Sequence, residues 1–376
     1  MSYTCDSVAE KVAAGLGFDC HDRNPFASLR NPFGLENATM PFLELLIIGG
    51  AIWALLHSWR RWRHDGDPIG ISLWFASLVY LAVVEPPLYF PGWFGLEEHV
   101  GFIFSHNVFT VQFMYDRLPL YIVAFYPAIT TLAWELVRAL RVLERRGALA
   151  AAFAVAFVCQ VFYEIFDQLG PQLKWWAWNT DNRMINQPAL DSVPMNSMLL
   201  FASVSFAAMA WIVIRFVGPR EGRTPLGGGQ VAWRTVVAGI LTPFAMMVVS
   251  APTGSLRGDD QIDIQRAILW VELGIVWAIG LWLLLDAWRA ISAGQVTPVS
   301  SPTFARVYPA IYLGVHVVLW VSALPAYFAA TNGITEDGTP IGSLWYVIAC
   351  TVASLGIIGA ALRATAKQPA LEPVKA

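Results

Sequence analysis

The stretch GALAAAFAVAFVCQVFYEIFDQL, residues 147–169, decides the fold class. It carries no charged side chain before Glu164. At about 1.5 Å of rise per residue, roughly twenty such residues cross the roughly 30 Å of hydrocarbon in a bilayer, so the stretch reads as a membrane-spanning helix. Its C-terminal half is different. At about 3.6 residues per turn, Gln160, Glu164, Asp167 and Gln168 share one face. A polar stripe of this kind is not stable against lipid, so it must face the bundle interior, either as a hydrogen-bonded seam between helices or as the wall of a site.

Eight further stretches of similar length and apolarity are found at about 41–58, 70–90, 118–138, 196–217, 235–252, 267–288, 306–329 and 342–362. The chain has 376 residues, 56% hydrophobic and 14% charged, and this is more apolar surface than one water-soluble core consumes. The expected fold is therefore all-α, a polytopic transmembrane bundle of nine spans. A tail over 1–40 precedes a helical domain over 41–363, and a short tail over 364–376, containing Pro369 and Pro373, is expected to be disordered. No basic segment followed by an apolar run opens the chain, so no cleavable signal peptide is read. Pro86 and Pro87 near the end of the second span predict tilting or early unwinding there.

Sixteen Lys and Arg residues fall on one side of this nine-span arrangement and eight on the other. By the positive-inside rule the richer side is cytoplasmic, which puts the N-terminus outside and the C-terminus in the cytoplasm. Cys5 and Cys20 then lie outside, where either a disulfide or two free thiols are compatible with the sequence. Cys159 and Cys350 fall inside apolar stretches as small buried thiols. The net charge of −3, without a basic run, excludes a nucleic-acid footprint. The absence of CxxC argues against a zinc or iron–sulfur centre. Gly227-Gly228-Gly229, with no Lys-Ser or Lys-Thr after it, reads as a linker and not a phosphate cradle.

A charge in the middle of a span costs at least about 2.5–3.5 kcal/mol, so every intramembrane carboxylate needs an explanation. Glu44, Glu85, Glu164, Asp167 and Glu272 all lie toward the non-cytoplasmic ends of their spans, in one layer. Glu135 and Asp286 lie at the other ends beside Arg138 and Arg289, and read as local ion pairs. His316 reads as a hydrogen-bonded residue of a helix interface.

Two long outer loops complete the candidate site. The first contains His99, His106 and Asn107 among aromatics; the seven-residue spacing of the histidines would align them on a helix, either with Glu98 or Asp116 as metal ligands or on the wet side of an interfacial helix. The predicted site assigns no metal. The second contains Trp175, Trp176 and Trp178, which read as part of an interfacial aromatic belt or as a hydrophobic lid able to stabilise a cation.

Glu85-Pro-Pro with its aromatic loop, Leu118-Pro119-Leu120-Tyr121, Glu164 followed by Trp176 to Trp178, and Val193-Pro194 together resemble a loose group of actinobacterial multi-pass proteins. That group is similar to the avermectin-type spirocyclases and, more distantly, to membrane carotenoid hydratases and cyclases. The resemblance covers about 40–215 and implies acid-assisted cyclisation, hydration or dehydration of an isoprenoid or polyketide, with no redox cofactor. Burial raises the pKa of a carboxyl group in general, which is what a general acid requires. The expected catalytic residues are Glu164, Glu85 and Asp167. Gln160, Gln168, His99, His106, Asn107, Trp176, Trp178, Glu44 and Glu272 are expected to bind a hydrophobic small molecule. No cofactor is expected, and the partners are membrane lipids and that substrate. The same residues would suit a carrier or channel for a lipid-like or cationic solute, or a subunit of a larger membrane complex.

Overall fold

A computed structural model describes residues 5–21, 25–29, 35–107, 110–218, 224–256, 258–295 and 303–365. The C-terminal stretch expected to be disordered lies almost wholly outside these residues. Helix α1 (Ser7–Gly15) opens the chain, followed by strand β1 (Ala27–Leu29), α2 (Met40–Asp65), α3 (Ile69–Tyr89) and a 3₁₀ turn at Pro91–Phe94. Helix α4 (Glu97–Val100), β2 (Phe104–His106), β3 (Val111–Phe113) and β4 (Leu118–Pro119) lead into α5 (Leu120–Ala139) and α6 (Val142–Asp167). After β5 (Trp176–Trp178), α7 (Arg183–Asn186), β6 (Ala189–Leu190) and β7 (Val193–Pro194), a π-helical segment (Ser197–Val204) continues as α8 (Ser205–Val217). The remaining helices are α9 (Gly228–Gly254), α10 (Ile262–Ser292), α11 (Thr303–Ala329) and α12 (Leu344–Thr365).

Among the described residues nine helices are long and apolar enough to cross a membrane, counting the π-helical segment with α8, and they match the nine predicted stretches. The chain is a polytopic helical membrane protein. Its surface agrees: Leu45 on α2, Val248 on α9 and Phe328 on α11 are each more than 70% exposed, which only an apolar solvent tolerates on this scale.

Helices α5 and α6 form the centre, with α2, α3 and α8 against one side of them and α10, α11 and α12 against the other. Small residues allow this packing. A Cβ at Gly280 on α10 would fall on the ring of Phe157 of α6, and one at Gly342, just before α12, would fall on the backbone carbonyl of Gln168. Helix α6 is kinked at a non-helical Gly147 (φ 82°), the residue at which the sequence reading starts this span.

Three local expectations are corrected. Helix α3 does not unwind at Pro86 and Pro87 but runs to Tyr89, because both prolines sit in its last turn and cost only the bonds to two carbonyls. Gly228 and Gly229 are the first turn of α9, with Gly227 as its N-cap, and not a free linker. Asp286 pairs with Arg145 and Arg146 at the start of α6, each at 2.7 Å, and not with Arg289 one turn away.

The short elements form a cap over one end of the bundle. Strand β1 pairs with β3 and β3 with β4, while β2 pairs with β5, all antiparallel. Cys5 and Cys20 are joined in a disulfide that, with Ala9 and Ala13 of α1, packs against Phe102 beside β2. The region before the first span is therefore partly a folded piece of this cap.

Candidate functional site

Beneath the cap lies a cavity of about 80 Å³, bounded by the ends of α3, α5 and α6, the π-helical segment and the β2–β5 pair. Its roof follows from strand geometry. In β2–β5 the register sets Phe104 opposite Trp178 and His106 opposite Trp176. Because alternate residues of a strand share a face, these four side chains point the same way, and all four line the cavity, whereas Ser105 and Ala177 do not. Asparagines hold the roof in place. Asn107 donates its backbone N–H to Trp175 O (2.8 Å) and its side chain to Lys174 O (3.0 Å). Asn182 donates to Val100 O and Phe102 O, and Asn186 to Ile103 O and Asn179 O.

Two carboxyl groups reach the cavity, Glu85 from the last turns of α3 and Asp167 from the end of α6. Both are at least 96% shielded, at 4% and 3% exposure, and neither forms an ion pair among the described residues. Tyr126 Oη donates to Glu85 Oε1 at 2.8 Å, and Ser197 Oγ makes a long 3.5 Å contact to Asp167 Oδ2. Tyr163, one turn before Asp167, also lines the cavity.

The rest of the wall is aromatic. Phe125 and Phe166 stack at 4.6 Å, Phe166 lies 4.7 Å from Trp176, and Phe104 meets Trp178 edge-on at 5.2 Å. His106 Nδ1 is 2.9 Å from Tyr89 Oη. Burial among these rings pushes its pKa down to about 3, so the ring is neutral at ordinary pH.

The structure divides the predicted site residues. Glu85, Asp167, His106, Trp176 and Trp178 come together in this cavity. Glu164, Gln160 and Gln168 do not reach it. They form a seam: Gln168 donates to Glu164 Oε2 (3.1 Å) and accepts from Ser343 N (2.8 Å), while Gln160 donates to Tyr346 Oη (3.0 Å) and accepts from Ser203 Oγ. Glu44 accepts from Thr110 Oγ1 at 2.6 Å and so ties α2 to the cap. Glu272, half-buried on α10, is not part of the cavity wall, and Asn107 serves the roof from behind. His99 is exposed on α4 while His106 is on a strand, so the two do not share a helix face. Among the described residues the cluster with metal-ligand spacing is Cys5, Cys20 and His21, whose sulfurs are already joined.

Sequence reasoning missed Tyr126, Tyr163, Ser197, Asn186 and Asn196. The tyrosines had a signal, since a hydroxyl inside a span must find a partner.

Fold and site together define a polytopic helical membrane protein, with nine long apolar helices among the described residues and a capped, acidic, aromatic cavity. Comparison of the chain with protein-family models, curated proteins and solved structures finds no match.

Proposed function

We propose that the protein is a membrane-embedded enzyme that carries out acid-assisted cyclisation, hydration or dehydration of a lipid-like isoprenoid or polyketide. The observation that carries this reading is the meeting in one aromatic cavity of two carboxyl groups, Glu85 and Asp167, that form no ion pair among the described residues. Glu85, held through one oxygen by Tyr126, gives a proton from the other to a carbon–carbon double bond or a leaving hydroxyl of the substrate. The resulting cation lies against the faces of Phe125, Phe166 and Trp176, which stabilise positive charge without reacting with it. Asp167 takes the proton released from the neighbouring carbon or from an adding water. Atoms and electrons balance within the substrate and water, so the reaction as written is redox-neutral. Glu164 stands behind this pair in its seam and is not the donor in this scheme.

The Lys and Arg bias supports residence in a bacterial cytoplasmic membrane with the cap on the non-cytoplasmic side. A lipid-like substrate would then reach the cavity from the outer leaflet.

Untargeted lipid mass spectrometry of the native host with the gene deleted tests the proposal. Complementation uses wild type, Glu85→Gln, Asp167→Asn and Glu164→Gln at matched expression. A species should accumulate on deletion and be converted by wild type, retain substantial conversion with Glu164→Gln, and persist with Glu85→Gln or Asp167→Asn. Solute movement without covalent change would select a carrier instead, and an unchanged lipid profile in all strains would end the enzymatic reading.

A further inference from the structure

Three buried polar atoms on residues that line the cavity have no hydrogen-bond partner among the described residues: the indole Nε1 of Trp176, the indole Nε1 of Trp178 and the amide Oδ1 of Asn186. Trp176 and Asn186 are each 98% shielded. Nearly all buried polar groups in folded proteins are paired, and leaving one unpaired destabilises the fold, so three in one wall call for an explanation. Several groups of the same kinds are paired, although the indole Nε1 of Trp134 in the core is not. Trp175 donates its indole N–H to Thr39 Oγ1 at 2.8 Å, Trp320 gives its own to Ile165 O at 2.9 Å, and the Nδ2 of Asn186 itself is paired twice. The unpaired atoms are two donors and one acceptor, on residues that all line the cavity.

We infer that these atoms recognise the substrate and that it is therefore an oxygenated amphiphile, with a hydroxyl or carbonyl oxygen on an otherwise apolar skeleton. The indoles of Trp176 and Trp178 donate to that oxygen, and Asn186 Oδ1 accepts from a hydroxyl. A pure hydrocarbon would leave all three unpaired, and the site would discriminate against it. An aromatic side chain with a single N–H suits this task, because it shields a cationic intermediate with its face while fixing the substrate with its edge. This inference rests on the proposed enzymatic reading and narrows its substrate class.

Binding of tritiated geraniol to the protein in lipid nanodiscs, measured by scintillation proximity, gives the test. Geranial, geranyl methyl ether and myrcene serve as competitors. Geraniol has both donor and acceptor, geranial and the ether keep only the acceptor, and myrcene has neither. Wild type should prefer geranial to myrcene by at least tenfold, and geraniol to the methyl ether by about threefold. Trp176→Phe and Trp178→Phe, which keep an aromatic ring and lose the N–H, should each cut the geranial-to-myrcene preference by about three- to tenfold with myrcene affinity unchanged. Equal binding of oxygenated and hydrocarbon ligands, unaltered in the variants, would overturn the inference and leave an apolar substrate site standing. Failure of all four ligands to bind, with the fold verified by thermal unfolding, would overturn it together with the reading of this cavity as a terpenoid-sized lipid site.

Discussion

Two groups of buried carboxylates lie at opposite ends of the central helices, and they are built on opposite principles. At the far end Glu135 of α5 is fully buried, but Arg138 reaches it at 2.7 Å, His57 at 3.3 Å and Arg61 at 3.8 Å. Under the cap, Glu85 and Asp167 are almost as deeply buried, and among the described residues their hydrogen-bond partners are hydroxyls. A buried charge surrounded by opposite charges is a structural joint, whereas a carboxyl group left without a cation beside an open space keeps its proton chemistry available. The contrast teaches that depth in the membrane does not separate the two kinds of acid. Their partners do.

The contrast can be broken in four ways, and the largest effect concerns turnover. Glu85→Gln should lower conversion of the accumulating lipid by about 10²–10⁴-fold, the usual contribution of a positioned acid, while thermal unfolding shifts little because the amide keeps shape and the Tyr126 contact. A Glu85→Gln protein with normal conversion would remove the acid from the mechanism. Glu135→Leu should do the reverse. It strands Arg138 and His57 and should cost about 3–5 kcal/mol of stability, read as early unfolding in a detergent melt, with catalysis intact in whatever fraction remains folded.

His106 gives a smaller effect that depends on pH. Its folded pKa, near 3, lies below its ordinary 6.5, so between these values the unfolded chain binds a proton that the native chain does not. Its contribution to stability is therefore full above pH 6.5 and is lost as pH falls toward 3, by at most about 1.4 kcal/mol per pH unit. His106→Gln should flatten that slope in melts taken between pH 4 and pH 7, and an unchanged slope would mean that His106 opens to water before the fold gives way. Tyr126→Phe should have the smallest effect, about 0.5–1.5 kcal/mol for a lost hydrogen bond, together with a displaced pH optimum for turnover. The same change without any movement of the pH profile would make Tyr126 a packing residue alone.

The spans were legible because lipid imposes length and apolarity on each of them separately, and residues 147–169 alone were enough to set the class. The site was legible only in part. Gln160, Glu164, Asp167 and Gln168 do share a face, but that face is about 100° wide and straddles two helix interfaces, so Asp167 turns to the cavity while Gln168 turns to Ser343. Periodicity measures angle about one helix and says nothing about which neighbour stands at each angle. The loop histidines failed for a related reason: a spacing of seven means one face only on a helix, and His106 is on a strand. Trp176 and Trp178 carried the alternation of a strand in plain view, two aromatic residues flanking Ala177, and the alternation places both rings in the roof.

The order in which the chain is made gives the layout of the cavity a further meaning. Among the described residues its wall draws on those from Glu85 to Phe201. Every group that would touch a substrate has thus been synthesised by the time the fifth span enters the bilayer. The later helices α10 and α12 arrive against the back of α6, as a brace set behind a finished chamber. Ribosome-stalled intermediates halted within α9 should therefore already hold a roofed cavity, and protection of Trp176 from an aqueous quencher would reveal the moment at which the roof closes.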